Sequence, residues 1–262
     1  MWKSGAMRSF CFLILPVKAP PEQHIQITIL EKQMKFSKPC INYLKLRPNN
    51  LFSETFRHLL LLLYWPLYGL FFWFVEKHYS DYYDDLGIGL HEMYLPIDDM
   101  IPFNELFVIP YVFWFLYIVL SLAYTLFYDV DMFKKMSYFI MITYTCALVS
   151  YYVYPTVQCL RPETFARDNF LVDFMRDFYA YDTNTNVCPS VHVFGSLSST
   201  IAFVRTKHLG KGIKISAHII NVLIILSTLF LKQHSVIDVI VALVISAVAY
   251  VIVFRRDIFG KR

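Results

Sequence analysis

The sequence predicts an all-α, polytopic membrane protein with six transmembrane helices and both termini in the cytoplasm. Three observations predict it. Of the 262 residues, 57% are hydrophobic and only 17% charged, against about 25% charged in ordinary soluble domains. Six apolar runs, 58–75, 107–127, 137–154, 187–204, 215–231 and 235–254, are long enough to cross a hydrocarbon core about 30 Å thick. Nineteen Lys and Arg fall in 1–57, 128–136, 205–214 and 255–262, and five in 76–106, 155–186 and 232–234. Cytoplasmic segments carry the excess, so the chain divides into a cytoplasmic tail 1–57, a membrane domain 58–254 and a cytoplasmic tail 255–262.

In chain order, Lys3 and Arg8 before "SFCFLILPV" have the outline of a signal peptide. The apolar core is short and no small-residue cleavage site follows, so 1–57 reads as a tail, with Met34 as an alternative start. The first five spans contain no Asp, Glu, Lys or Arg. Segment 76–106 mixes Asp81, Asp84, Asp85, Asp98 and Asp99 with Tyr and Leu, and is expected to lie at the extracytoplasmic interface, where aromatic side chains favour one wet and one apolar side. Segment 155–186 reads as a polar outer loop. The sixth span is interrupted one turn in by Asp238. Five cysteines form no CxxC pair. Cys11 and Cys40 fall on the cytoplasmic side and Cys146 within a span. Cys159 and Cys188 share the outer side, where a disulfide would need a proximity the sequence does not give. No internal repeat, second soluble domain, nucleic-acid signature or obligate protein partner is indicated.

Three polar clusters share one side of the predicted membrane: 154–162 after the third span, Pro189-Ser190-Val191-His192 opening the fourth, and His234-Ser235-Val236-Ile237-Asp238 opening the sixth. On a helix, His234 and Asp238 at i, i+4 share a face. A carboxylate beside an imidazole fixes its tautomer and leaves the other nitrogen as nucleophile or base; the blander alternative is a polar pair capping a helix. An ionisable residue inside a span is expensive and usually functional. Ser190 and His192 sit where a helix start offers unpaired N–H groups to a phosphate, and His192 suits proton donation to a departing alkoxide; alternatively Ser190 is only a cap. Arg161 is a fork of donors suited to phosphoryl oxygens, or an interfacial anchor. A cation, a nucleophile with its orienting acid and a proton donor together make the parts of one phosphoryl-transfer site.

These residues resemble the type 2 phosphatidic acid phosphatase superfamily, whose motifs read Lys-x6-Arg-Pro, Pro-Ser-Gly-His and Ser-Arg-x5-His-x3-Asp on a six-helix membrane core. The resemblance covers roughly 95–254 in motif order and spacing. It implies that His234 attacks phosphorus to form a phosphohistidine with Asp238 orienting it. It implies further that His192 protonates the leaving oxygen and later activates the acceptor, while Arg161 and Ser190 hold the phosphoryl oxygens. Tyr154 stands where the family has Lys, Thr228 where it has Arg and Val191 where it has Gly, while Ser227 matches. Each missing cationic clamp is worth about 2–4 kcal/mol of transition-state stabilisation; Lys232 is the candidate to compensate. The losses, and the stretch "LPIDDMIPFNELFVIPYVFW", resemble the sphingomyelin synthase and inositol phosphorylceramide synthase branch, although its Cys-Gly-Asp-x3-Ser-Gly-His pattern is absent.

The expected function is therefore hydrolysis of a lipid phosphate monoester or diphosphate at the outer face of the plasma membrane. The alternative is a headgroup transferase that passes the same intermediate from a phosphodiester to a lipid alcohol. A transporter is a poorer fit because the polar groups sit at one end of the spans rather than at the midplane, and an inactive lipid-binding protein is the reading that Tyr154 and Thr228 leave open. A zinc site from His192, His234 and Asp238 is disfavoured by the nearby Arg161, so no metal or cofactor is expected. The expected partners are membrane lipids and the lipid phosphate itself.

Overall fold

Helix dominates the computed structural model, which describes residues 39–86 and 89–255. The signal-like stretch, Cys11, Met34 and the end of the C-terminal tail lie outside the described residues, as do the side chains of Asp81, Asp84 and Asp85. Seven α-helices are described: α1 (Tyr64–Leu86), α2 (Val108–Tyr128), α3 (Val130–Val153), α4 (Phe170–Tyr181), α5 (Val191–Arg205), α6 (Lys211–Phe230) and α7 (Val236–Tyr250). A 3₁₀ segment, Arg57–Leu63, leads into α1, and a π turn, Val251–Arg255, continues α7.

Among the described residues, five helices are long and apolar enough to cross a membrane: Arg57–Lys77, Glu105–Tyr128, Val130–Val153, Lys211–Phe230 and Val236–Arg255. They correspond to five of the six predicted runs. The third begins at Val130 rather than 137 because the Asp129 carboxylate accepts from the Met132 N–H at 3.1 Å and caps the helix ahead of the apolar stretch. Their outward faces carry exposed Leu70 and Trp73, Ile109 and Phe115, Val149 and Val153, Ile215 and Ile219, and Val244 and Val248, the polarity of a surface solvated by hydrocarbon.

The remaining run, 187–204, forms the 15-residue α5, about 22 Å long at 1.5 Å per residue and short of a 30 Å core. Its start is set by Pro189 and the N-cap Ser190. What α5 lacks in length it has in contacts, packing against α2, α3, α6 and α7. Gly195, Ser196, Ser198, Ser199, Thr200 and Ala202 are all buried, and small residues let helix backbones approach closely. A Cβ on Gly195 would lie 2.5 Å from Ile118 Cδ1, 2.6 Å from Trp114 Nε1 and 2.8 Å from the Tyr144 hydroxyl, so the position takes only glycine. The hydroxyls are paired between helices: Ser121 Oγ donates to Ser199 Oγ at 2.8 Å, and the Tyr117 and Thr200 hydroxyls meet at 2.9 Å.

The connecting segments 89–107 and 155–186 hold more structure than expected. Within 155–186, read as a polar loop, Asn169 caps the amphipathic α4 by accepting from the Leu171 and Val172 N–H groups. Val172 and Met175 are buried, and Met175 packs with Val108, Tyr111 and Leu231. Two-residue strands β1 (His91–Glu92) and β2 (Thr156–Val157) pair in parallel, His91 opposite Thr156, and tie 89–107 to the segment after α3. In 89–107 the apolar Tyr94, Ile97, Met100 and Leu106 are exposed while Asp98 and Glu105 are buried, the reverse of a water-facing loop. Cys159 is exposed, Cys188 is buried and both are free thiols, so the disulfide considered for them is not formed.

Candidate active site

The last helix begins with a capping box. Ser235 is the N-cap, its Oγ accepting from the Ile237 N–H at 3.3 Å, and Asp238 Oδ2 accepts from the Ser235 N–H at 3.0 Å. His234 therefore precedes α7 instead of riding on it, which corrects the same-face argument. It still meets Asp238, Nδ1 to Oδ2 at 3.2 Å, because the box folds the carboxylate back over the residue before the cap. Asp238 is fully buried and His234 nearly so.

His192, on the first turn of α5, brings its Nδ1 to 3.3 Å from His234 Nε2. A carboxylate oxygen only accepts, so His234 Nδ1 carries a hydrogen; in the neutral ring Nε2 then keeps its lone pair, and His192 Nδ1–H donates to it. The His192 ring is clamped between Tyr111, stacked at 4.6 Å between centroids, and Trp114 at 4.3 Å. The result is a line of three groups, Asp238 to His234 to His192.

Two helix starts meet here and differ in what they leave free. At α7, the Val236 N–H donates to Asp98 Oδ1 at 2.9 Å and Ser235 Oγ donates to Asp98 Oδ2 at 2.5 Å, while Lys232 Nζ donates to the Asp98 carbonyl at 2.7 Å. At α5, Ser190 makes no side-chain cap bond and its buried Oγ has no partner. Nine buried side-chain nitrogen or oxygen atoms among the described residues lack a partner, and five belong to Arg161, Asn186, Ser190, Gln233 and Asp238 in this one region. Such groups are rare and call for a functional explanation.

Arg161 lies behind the pair. Its Nη1 donates to the carbonyls of Tyr179 and Asp182 at 3.1 and 2.7 Å, and its Nη2 to the Thr183 carbonyl and to Gln233 Oε1, both at 2.9 Å. The guanidinium sits 4.6 Å over the Tyr179 ring. Burial lowers the Arg161 pKa and raises that of its neighbour Asp182, which the Arg161 charge partly offsets. Lys232 points away, toward Asp98, and burial lowers its pKa against the pull of Asp98 and Asp99. Tyr154 stacks on His91 at 3.7 Å, and Thr228 Oγ1 donates within α6 to the Ile225 carbonyl. Neither supplies a cation.

A cavity of about 430 Å³ opens onto His192 and His234 and is lined also by Tyr111, Tyr151, Asp182, Glu76 and Gln233. Neither Arg161 nor Lys232 is among its lining residues. Glu76 is held by Asn186 Nδ2 at 2.8 Å and by the Thr183 hydroxyl. A larger apolar groove, about 660 Å³, runs between α1 and α2 and shares Phe72 and Val191 with the cavity. Among the described residues no group of three or more His, Cys, Asp or Glu is arranged to hold a metal ion.

The structure thus brings together His192, His234 and Asp238. It ties Ser190 to them only through its backbone N–H on the Asp238 carbonyl, outside the cavity lining, sets Arg161 one residue back, and turns Lys232 elsewhere. Sequence reasoning missed Asp98 and Gln233. Asp98 stood among the outer-face acids with no local signal, and Gln233 is marked only by its place before His234. No family model, curated protein or solved structure matches the chain.

Proposed function

We propose that this protein is a membrane-embedded phosphoryl-transfer enzyme of the type 2 phosphatidic acid phosphatase kind, acting on a lipid phosphate through a phosphohistidine on His234. The observation that carries the reading is the Asp238–His234–His192 line at the edge of a cavity that shares Phe72 and Val191 with an apolar groove. In the proposed reaction, His234 Nε2 bonds to phosphorus as the P–O bond to the leaving group breaks, and the leaving oxygen takes a proton from His192. Water then attacks phosphorus, giving its proton to His192 as the P–N bond breaks. Reacting atoms approach to about 3–3.5 Å, so the 3.3 Å between the two nitrogens leaves no room for phosphorus. The rings must part when substrate enters, and His192 is the one on a separate element.

The groove supports a lipid as substrate. Gly69 lines it, and a Cβ there meets nothing within 4 Å, so Gly69→Phe fills the groove without disturbing the helices. Forcing a chain past an added ring is an overpacking cost of about 1–3 kcal/mol. KM for a long-chain lipid phosphate is expected to rise roughly tenfold, with no change for a short-chain soluble ester; equal effects on both would remove the groove from the reading.

A second reading, transfer of a phosphorylated headgroup from a phosphodiester to a lipid alcohol, is favoured by one observation. Among the described residues the cavity is lined by Glu76 and Asp182 and by no Lys or Arg, a poor setting for a monoester dianion and a better one for a singly charged diester. Incubation of purified protein with labelled monoester and diester lipids, with and without diacylglycerol or ceramide, separates the readings by product: free phosphate for the first, a new phospholipid for the second. Neither product from any substrate would sink both.

The proposed topology has six spans with α5 as the fourth, both termini in the cytoplasm and the site on the outer face of the plasma membrane, as the Lys and Arg distribution favours. In a cysteine-free background, Tyr181→Cys is expected to react with an impermeant maleimide on intact cells and Lys207→Cys only after permeabilisation; both positions are exposed. The opposite pattern would turn the site inward.

A further inference from the structure

We propose that Gln233 is the side chain that holds the phosphoryl oxygens in this site, and that Arg161 is a positioning residue that acts through it. The inference rests on the phosphoryl-transfer reading and deepens it. Gln233 is 4% exposed, lines the cavity with His192 and His234, and directly precedes the proposed nucleophile. Its backbone N–H donates to the Thr228 carbonyl at 2.9 Å, and Gln158 Nε2 holds the neighbouring Lys232 carbonyl at 2.8 Å. The amide therefore stands on a fixed stretch of chain.

Its orientation is set by chemistry. A guanidinium has only donors, so the amide oxygen must face Arg161 Nη2, as it does at 2.9 Å. The amide nitrogen is left over, buried and without an acceptor. A buried unpaired donor is costly, and an anionic oxygen entering the cavity would relieve it. The Arg161 charge at the other end of the amide polarises Nε2–H and strengthens it as a donor. The two terminal nitrogens of Arg161 are engaged by three carbonyls, Gln233 Oε1 and, at 3.5 Å, Asp182 Oδ2; its Nε has no partner, but Arg161 does not line the cavity. The site thus delivers one neutral, strengthened donor where a family member of the full motif is expected to deliver cations, which suits the lower charge of a diester.

The experiment uses full-length protein in detergent and orthovanadate as the probe, with binding read by thermal shift or calorimetry and turnover on whichever lipid phosphate the wild type accepts. Gln233→Met removes the donor at nearly constant volume and is expected to weaken vanadate binding about 10- to 100-fold. Gln233→Glu keeps a partner for Arg161 and so keeps the fold, but turns an acceptor toward the anion and is expected to weaken binding at least as much. Arg161→Met alone should also weaken binding, yet add little in the Gln233→Met background, because residues acting as one unit are not additive. Independent, multiplying losses would mean that Arg161 touches the anion itself and would overturn the proposal. So would Gln233 variants that bind vanadate like a wild type that binds it. A wild-type protein that neither binds vanadate nor turns over any lipid phosphate would overturn the phosphoryl-transfer reading and this proposal with it.

Discussion

Replacing His234 by alanine is expected to abolish turnover, a loss of about 10⁴-fold or more, because no other nitrogen stands where the phosphorus bond must form. The expectation follows from three features that act together. Asp238 Oδ2 holds Nδ1 at 3.2 Å, Nε2 is turned toward His192, and burial excludes most water from His234 and Asp238. His192→Ala is expected to behave differently. It removes the proton for the leaving group, so lipid alkoxides are expelled slowly, while a substrate with an acidic leaving group such as a nitrophenol still phosphorylates His234. Acid-labile, base-stable label trapped on wild-type and His192→Ala protein, and absent from His234→Ala, is the expected pattern. Equal trapping on all three proteins would remove His234 from the nucleophile's role.

Asp98→Ala is expected to have the largest effect on stability. The carboxylate is 1% exposed and accepts from Ser235 Oγ, the Val236 N–H and, at 2.8 Å, the Leu95 N–H. Hydrogen bonds to a charged group contribute about 1.5–3 kcal/mol each, and donors stranded in a buried site add the cost of lost solvation. Removing the common acceptor is therefore expected to cost about 3–5 kcal/mol, a fall in Tm on the order of 10 °C for a chain of this size. Because the same contacts fix the start of α7, the variant that keeps the shape, Asp98→Asn, should retain more of the fold but lower kcat more than it raises KM. Asp99→Asn is the control: Asp99 is exposed and bonded only to the Tyr94 hydroxyl among the described contacts. If Asp98→Ala melts with Asp99→Asn, the clamp on α7 is not holding the site.

The contrast between Asp98 and Asp99 shows where a linear reading stops. Both are acids in "LPIDDM" and both were counted to the outer face. One turns inward to partners 137 and 138 residues away and the other outward to a tyrosine five residues away, and no local pattern distinguishes a contact at that range. Helix α4 was legible in principle, since Asn169 and the apolar Leu171, Val172, Phe174, Met175 and Phe178 carry a cap and a helical period. The charges of 155–186 mask that 12-residue pattern. In the 187–204 run, apolar length alone does not place the helix start, which Pro189 and Ser190 set at Val191.

What the sequence determined by itself rests on properties that need no partner. Runs of apolar residues make five membrane-length helices whatever their neighbours. The short spacing between His234 and Asp238 lets the two meet across a capping box as readily as along a helix face. The tertiary structure alone decided which polar groups face the cavity: α5 as the central helix, His192 against His234, Gln233 toward the site with Arg161 behind it, and Lys232 turned to Asp98. Those directions depend on backbone carbonyls contributed by Tyr179, Asp182, Thr183 and Asp98, which come from segments distant in the chain. A long, flexible cation points to whichever of them the fold brings within reach.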